Sequence, residues 1–220
     1  MMNQRYIKKI RRANRVAAFF PKLSDFIERL KVLKYVKNWQ EKGWSLPLPD
    51  QMKRAIFKKV AMEFGAEIFV GTGTFRGTTP WYLRDDFREI YSIEVEPQLA
   101  TLAEERFSEF PHVKIIEGDS ANKLAEITSK IDGPTFFLLD GHYSGGITGR
   151  GEGDCPIWAE LDAIVSNMST QFLIIIDDAR CFGVNDGYPK ISELRAYVRD
   201  KLPKYEMIIE NDLIHIFPSH

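Results

Sequence analysis

From residue 66 onward the chain alternates short apolar runs with stretches of helix length, and this constrains its fold more than any other feature. Runs rich in Ile, Val and Phe recur at 66–70, 89–95, 113–117, 135–140 and 172–177. Between them lie 78–84, 98–107, 121–127 and 157–167, each of helix length. Strand–helix–strand units of this kind close right-handed and build a parallel sheet with helices on both faces. After a further helical stretch at 191–201 the pattern changes. Residues 205–210 and 213–217 read as strands joined only by Asn211 and Asp212, a link too short for a parallel crossover. The expected fold is an α/β three-layer sandwich with a seven-stranded, mostly parallel sheet ending in an antiparallel hairpin.

A helical extension, residues 1–60, is expected to precede this domain, residues 61–220. Leu23, Phe26, Ile27, Leu30, Leu33 and Val36 recur at three- and four-residue steps and give one apolar stripe. Asp25 with Glu28 resembles a capping box, and Pro21 separates this helix from a basic one before it. The prolines of Ser45-Leu46-Pro47-Leu48-Pro49-Asp50 make a stiff connector. A second helix is expected at 51–64. Residues 1–40 hold eleven of the 30 Lys and Arg but only two of the 31 acids, Asp25 and Glu28. A basic arm thus precedes an acidic body. Such an arm suits an anionic membrane, a nucleic acid or the body itself, and plain solvated helix faces account for it equally; a second copy of the chain is a further expected partner. Cys155 and Cys181 fit neither a zinc spacing nor a disulfide framework, so a reduced, cytoplasmic setting is the simplest expectation.

In an open parallel sheet, ligands collect at the carboxyl ends of the strands near the switch in strand order. The first strand runs into Gly71-Thr72-Gly73-Thr74-Phe75-Arg76-Gly77, and Thr78 opens the helix that follows. Glycines there permit a sharp turn and close approach of the backbone to a ligand. The second strand ends in Ser92-Ile93-Glu94-Val95, where a carboxylate would accept hydrogen bonds from both ribose hydroxyls of an adenosine. Asp119 and Ser120 end the third strand, within reach of an adenine amino group, and Asp140 ends the fourth.

Taken together, FVGTGTFRG, YSIEVEP, IIEGDS and FFLLDGH resemble, in order and spacing, the successive motifs of the class I S-adenosylmethionine-dependent methyltransferases. The resemblance covers about residues 60–217 and implies a Rossmann-like fold whose hairpin supplies the reversed strand. It implies S-adenosylmethionine contacts at Gly71, Thr72 and Gly73, with Thr74, Gly77 and Thr78 completing the turn. It also implies ribose contacts at Glu94 beside Val95, adenine contacts at Asp119 and Ser120, and Asp140 at the mouth of the crevice. One departure stands out. The family usually has an acidic residue where this chain has Gly71.

A second constellation is acidic. Asp140 ends strand four, and Asp177-Asp178 ends strand five in the apolar run Ile174-Ile175-Ile176. Neighbouring strand ends place the three carboxylates about 5–10 Å apart, and a cation would relieve their mutual repulsion. The pattern resembles the metal-dependent O-methyltransferases of the macrocin and catechol types. There Mg²⁺ holds the acceptor hydroxyls and lowers their pKa, which would give Asp140 and Asp178 catalytic roles. The competing reading is that Asp177 or Asp178 caps the next turn or pairs with Arg180. Between the two groups lies a glycine-rich lid-like loop, 141–154, in which His142 could serve as general base, orient a water or pack beside the adenine. The expected reaction is O-methylation of a small-molecule acceptor. A nicotinamide-dependent oxidoreductase using the same turn and Glu94, or a non-catalytic interaction module, are the alternatives.

Overall fold

The computed structural model describes residues 4–43, 46–140, 155–184 and 187–219. Three helices come first, α1 (Gln4–Phe19), α2 (Pro21–Glu41) and α3 (Asp50–Phe64). Then follow β1 (Ile68–Thr72), α4 (Thr78–Leu83), β2 (Glu89–Glu94), α5 (Pro97–Phe107), β3 (Val113–Glu117) and α6 (Ser120–Thr128). The second half consists of β4 (Thr135–Leu139), α7 (Ile157–Asn167), β5 (Phe172–Ile176), α8 (Ile191–Lys201), β6 (Tyr205–Glu210) and β7 (Leu213–Pro218).

The seven strands lie in the order β3-β2-β1-β4-β5-β7-β6. The pairings from β3 to β5 are all parallel, whereas β7 runs antiparallel to both β5 and β6. The expected α/β sandwich with its terminal hairpin is therefore what the chain forms. At the hairpin turn Asn211 and Asp212 take left-handed φ values of 56° and 64°. That is the backbone a two-residue link between twisted strands requires. Strand order reverses between β1 and β4, so the crevice opens at their carboxyl ends.

Side chains alternate across the sheet. Ile68 and Val70 of β1 join Phe137 and Leu139 of β4 in a core covered by Leu124, Leu161 and Leu194 of α6, α7 and α8. Phe69, Phe136 and Leu138 point the other way, to Phe57 and Ala61 of α3, Trp81 of α4 and Phe107 of α5. Burying each such side chain contributes about 1.5–3 kcal/mol.

The extension differs in two respects from its sequence reading. No side chain caps the start of α2, where Pro21 sets the first turn instead. Asp25 accepts hydrogen bonds from Trp81 Nε1 at 3.0 Å and Arg84 at 2.8 Å. Of its apolar stripe, Leu23, Phe26 and Ile27 stand exposed. The basic α1, in contrast, is docked. Ile10 packs on Leu99 and Leu102 of α5, Asn14 Nδ2 donates to Leu102 O at 2.5 Å, and Arg11 pairs with Glu105. Lys8, Lys9 and Arg12 remain exposed. Among the described residues no helix is long and apolar enough to cross a membrane.

Candidate functional site

The parallel register aligns the strand ends that the sequence singles out. Thr72 of β1 lies level with Ile93 of β2 and Leu139 of β4, and Glu94 lies level with Glu117. Hydrogen bonds then tie the ends together. Gly73 N and Thr74 N both donate to Ile93 O, Thr74 Oγ1 and Ser92 Oγ are 2.7 Å apart, and Asp140 N donates to Thr72 Oγ1 at 3.1 Å. Gly73 and Gly77 hold φ of 79° and 67°, values that a side chain disfavours, so the turn needs glycine at both. Gly73 is exposed at the crevice, with no Cβ to bar close approach.

Glu94 is the centre of this arrangement. It is 4% exposed, yet its carboxylate accepts from Phe75 N at 2.6 Å and from Glu96 N at 2.9 Å. Burial pushes its pKa above the ordinary carboxylate value, against the pull of those amides. Val95 N adds a third backbone contact, and acceptor capacity remains on the carboxylate for a ligand hydroxyl. Gly118 N donates to Glu94 O at 2.9 Å, which brings Asp119 and Ser120 alongside. Asp119 uses Oδ1 to cap α6 through Ala121 N, and Ser120 is buried. Val95 and Thr78 are half-buried at the ends of β2 and the turn. These residues could hold S-adenosylmethionine: a buried carboxylate, an open glycine turn and an adjoining carboxylate lie at three consecutive strand ends.

Gly71 is glycine for a different reason. It lies within β1, outside the left-handed region, and a Cβ there would come 2.9 Å from Phe69 Cζ. The ring is fixed between Phe87 and Phe136, with centroids 5.7 and 5.4 Å away. The aromatic ring occupies the place into which an acidic side chain would project.

The acids at the end of β5 are ion-paired. Lys53 of α3 places its ammonium 2.5 Å from Asp177 Oδ1 and 3.2 Å from Asp178 Oδ1. Arg180 pairs with Asp178 at 2.6 Å and with Asp212. Among the described residues no group of three His, Cys, Asp or Glu is placed to hold a metal ion. Of the three acids expected to hold Mg²⁺, Asp140, Asp177 and Asp178, the latter two are thus ion-paired with the lysine and the arginine. Burial alone would lower the Lys53 pKa, but the two carboxylates outweigh it and hold the ammonium above its ordinary value. Of the two structural alternatives for the pair, Arg180 pairing is present, while the Asp178 side chain does not cap the short turn Ala179–Cys181, whose Arg180 N donates to Asp212 Oδ1 instead.

The sequence reading missed Lys53. Its signal is the four-residue spacing of Lys53, Phe57 and Ala61, which sets a charged residue on the buried face of α3. His142 and the rest of 141–154 lie outside the described residues. His112 Nε2 lies 2.7 Å from Arg84 O and His215 is buried in β7, as structural histidines would be. A cavity of about 470 Å³ lies elsewhere, between α2, α3, α4 and the end of α5. It borders the glycine turn only at Thr78, and its Arg84 and Lys58 are engaged by Asp25 and Asp86.

No family model and no curated protein matches the chain. Solved structures do. The S-adenosylhomocysteine-bound O-methyltransferase of Bacillus cereus superposes with a TM-score of 0.58 at 12% identity, covering 85% of this chain and 89% of that one. The S-adenosylhomocysteine-bound methyltransferase of Podospora anserina gives 0.56 at 14% identity over 90% and 97%. An rRNA methylase of Streptococcus thermophilus gives 0.50 at 12% identity over 80% and 99%. At these identities the likeness shows architecture, and that architecture is the class I methyltransferase fold.

Proposed function

We propose that the protein is an S-adenosylmethionine-dependent methyltransferase that transfers a methyl group to an oxygen of a small-molecule hydroxyl. The observation that carries this reading is the buried Glu94 carboxylate bonded to Phe75 N, which joins the ribose acceptor and the glycine turn in one site at the switch in strand order. The bound product in two of the structural neighbours supports it. The neighbours' acceptors differ, one being named for rRNA, so the small-molecule acceptor rests on the resemblance of this chain's motifs to O-methyltransferases.

Gly73 and the residues around it would hold the cofactor's amino-acid end, Glu94 the ribose, and Asp119 with Ser120 the adenine. When bound, S-adenosylmethionine supplies a methyl group on a positively charged sulfur, open to an oxygen nucleophile. The protein's part is alignment in a dry crevice, the largest contribution for a reaction between two bound partners. His142 takes the acceptor's proton within this proposal, since an imidazole titrates in the useful range.

The nicotinamide reading uses the same turn and the same carboxylate. The insertion of β7 antiparallel between β5 and β6, the reversed strand that the family resemblance implies, favours methyl transfer. Calorimetry decides between them. S-Adenosylmethionine and S-adenosylhomocysteine should bind and NADH should not; the reverse result would overturn the proposal.

A further inference from the structure

Lys53 is an unusual choice for its position. Its neighbours four and eight residues on, Phe57 and Ala61, are core, and the lysine itself is 7% exposed. α3 leads through Gly65 and Ala66 into β1, so its first turns lie at the carboxyl edge of the sheet. The stem therefore runs along the buried face and delivers the ammonium to the end of β5. Burying a lysine is costly unless it is paired, and an apolar side chain would fill such a place at no such cost. The pairing here is double, to Asp177 at 2.5 Å and Asp178 at 3.2 Å. Arg180 closes the outer side through Asp178 and Asp212.

The place matters more than the pairing. Asp177 N donates to Leu139 O at 3.1 Å, and Ile176 lies level with Leu139. Asp140 is the next residue on that strand end, tied by its own amide to Thr72 at the start of the glycine turn. The ammonium thus stands at the edge of the crevice, on the side where the turn begins. Two of its three N–H donors are engaged among the described residues.

We infer that Lys53 is the resident cation of this strand end. Its ammonium stands where a divalent ion would have to sit, keeps divalent ions out, and presents its remaining N–H to an oxygen of the acceptor. The exclusion follows from charge. A divalent ion entering between Asp177 and Asp178 meets a fixed positive charge in a poorly solvated place, and both carboxylates have already given their nearest oxygens to it. The acceptor clause rests on the methyltransferase reading; the exclusion of divalent ions does not.

The test is titration with Mn²⁺, followed by the loss of the free-ion electron paramagnetic resonance signal. Wild type, Lys53→Met and Lys58→Met are compared, Lys58 being a lysine of the same helix paired elsewhere, with Asp86. Wild type and Lys58→Met should bind Mn²⁺ equally weakly. Lys53→Met should bind it about tenfold more tightly or better, and adding Asp177→Asn should remove the gain. Wild-type binding as tight as that of Lys53→Met, or a folded Lys53→Met with no gain, overturns the inference. Should Lys53→Met fail to fold, Lys53→Arg keeps the charge and is expected to exclude Mn²⁺ as wild type does; stoichiometric, Mg²⁺-displaceable Mn²⁺ in either protein overturns the inference. Calorimetry with S-adenosylmethionine on the same wild-type sample separates the two readings. Failure to bind the cofactor with the Mn²⁺ pattern intact removes the methyltransferase and leaves Lys53 as the resident cation.

Discussion

Glu94 Oε2 accepts a 2.6 Å hydrogen bond from the backbone amide of Phe75, so the acid at the end of β2 and the turn after β1 form one rigid unit. Phe75 is a non-glycine residue at φ 49°, a conformation that needs support from its surroundings. Glu94→Ala should therefore act twice. It removes the expected ribose acceptor, weakening S-adenosylmethionine by about 1.5–3 kcal/mol, and it releases the turn. Glu94→Gln keeps one acceptor oxygen and should lose less. Calorimetry across the series checks this; equal affinity in all three proteins would place the cofactor elsewhere.

Gly71 and Phe69 make a second pair whose relation can be tested. Because a Cβ on Gly71 would lie 2.9 Å from the Phe69 ring, Gly71→Ala should overpack the core and cost about 1–3 kcal/mol of stability. Gly71→Glu should cost at least as much, and any gain in cofactor affinity requires the ring to move first. Phe69→Leu in the Gly71→Ala background should recover part of the loss. Denaturant melts of the three variants measure it. Unchanged stability of Gly71→Ala would show that the ring gives way freely and that the pocket is open to a side chain.

These pairs show where the sequence is legible. Strand-forming runs such as Phe172–Ile176 announce themselves by composition, and the two-residue link at Asn211 and Asp212 fixes the reversed strand because no longer crossover fits. Glu94, Asp119 and Asp140 are legible as a set because each ends a strand and the parallel register then brings the ends together. What cannot be seen in the sequence is neutralisation across it. Lys53 meets Asp177 from 124 positions away, so two acids that read as a vacancy for a metal are in fact paired. The glycine at 71 is similar: its reason is the position of a ring two residues earlier, which no turn rule supplies.

The basic arm belongs to the same lesson. A reading of α1 as a solvated arm makes residues 1–20 dispensable, but Ile10 is 6% exposed and covers Leu99 and Leu102, which are themselves 1% and 2% exposed. Ile10→Ala should cost about 2–5 kcal/mol, as for other buried isoleucines. Deleting residues 1–20 uncovers the α5 face altogether, and the truncated protein should melt lower and bind an apolar dye more strongly than the full chain. Lys8→Ala with Lys9→Ala, both exposed, should leave stability within about 0.5 kcal/mol. A truncated protein as stable as the full chain would mean that the α1 contact contributes nothing in solution.

The raised pKa of Glu94 has consequences for both stability and binding, and their signs differ. A buried carboxyl that binds its proton more tightly when folded makes the native state hold more protons than the unfolded chain between the two pKa values. Its contribution is therefore most favourable at low pH and is lost as pH rises from the unfolded value through the raised folded one. The ligand-free protein should lose stability over that window, and Glu94→Gln should remove that part of the pH dependence. Binding goes the other way. Accepting two ribose hydroxyls favours the ionised carboxylate, so S-adenosylmethionine affinity should fall as pH drops through the folded pKa, a midpoint above the usual carboxylate range. Glu94→Gln should bind more weakly at neutral pH but with a flat profile. Calorimetry from neutral pH down towards the ordinary Glu value, for wild type and the glutamine variant, gives both curves. A wild-type affinity that stays level across that range would remove Glu94 from the ribose site, whatever the stability measurements show.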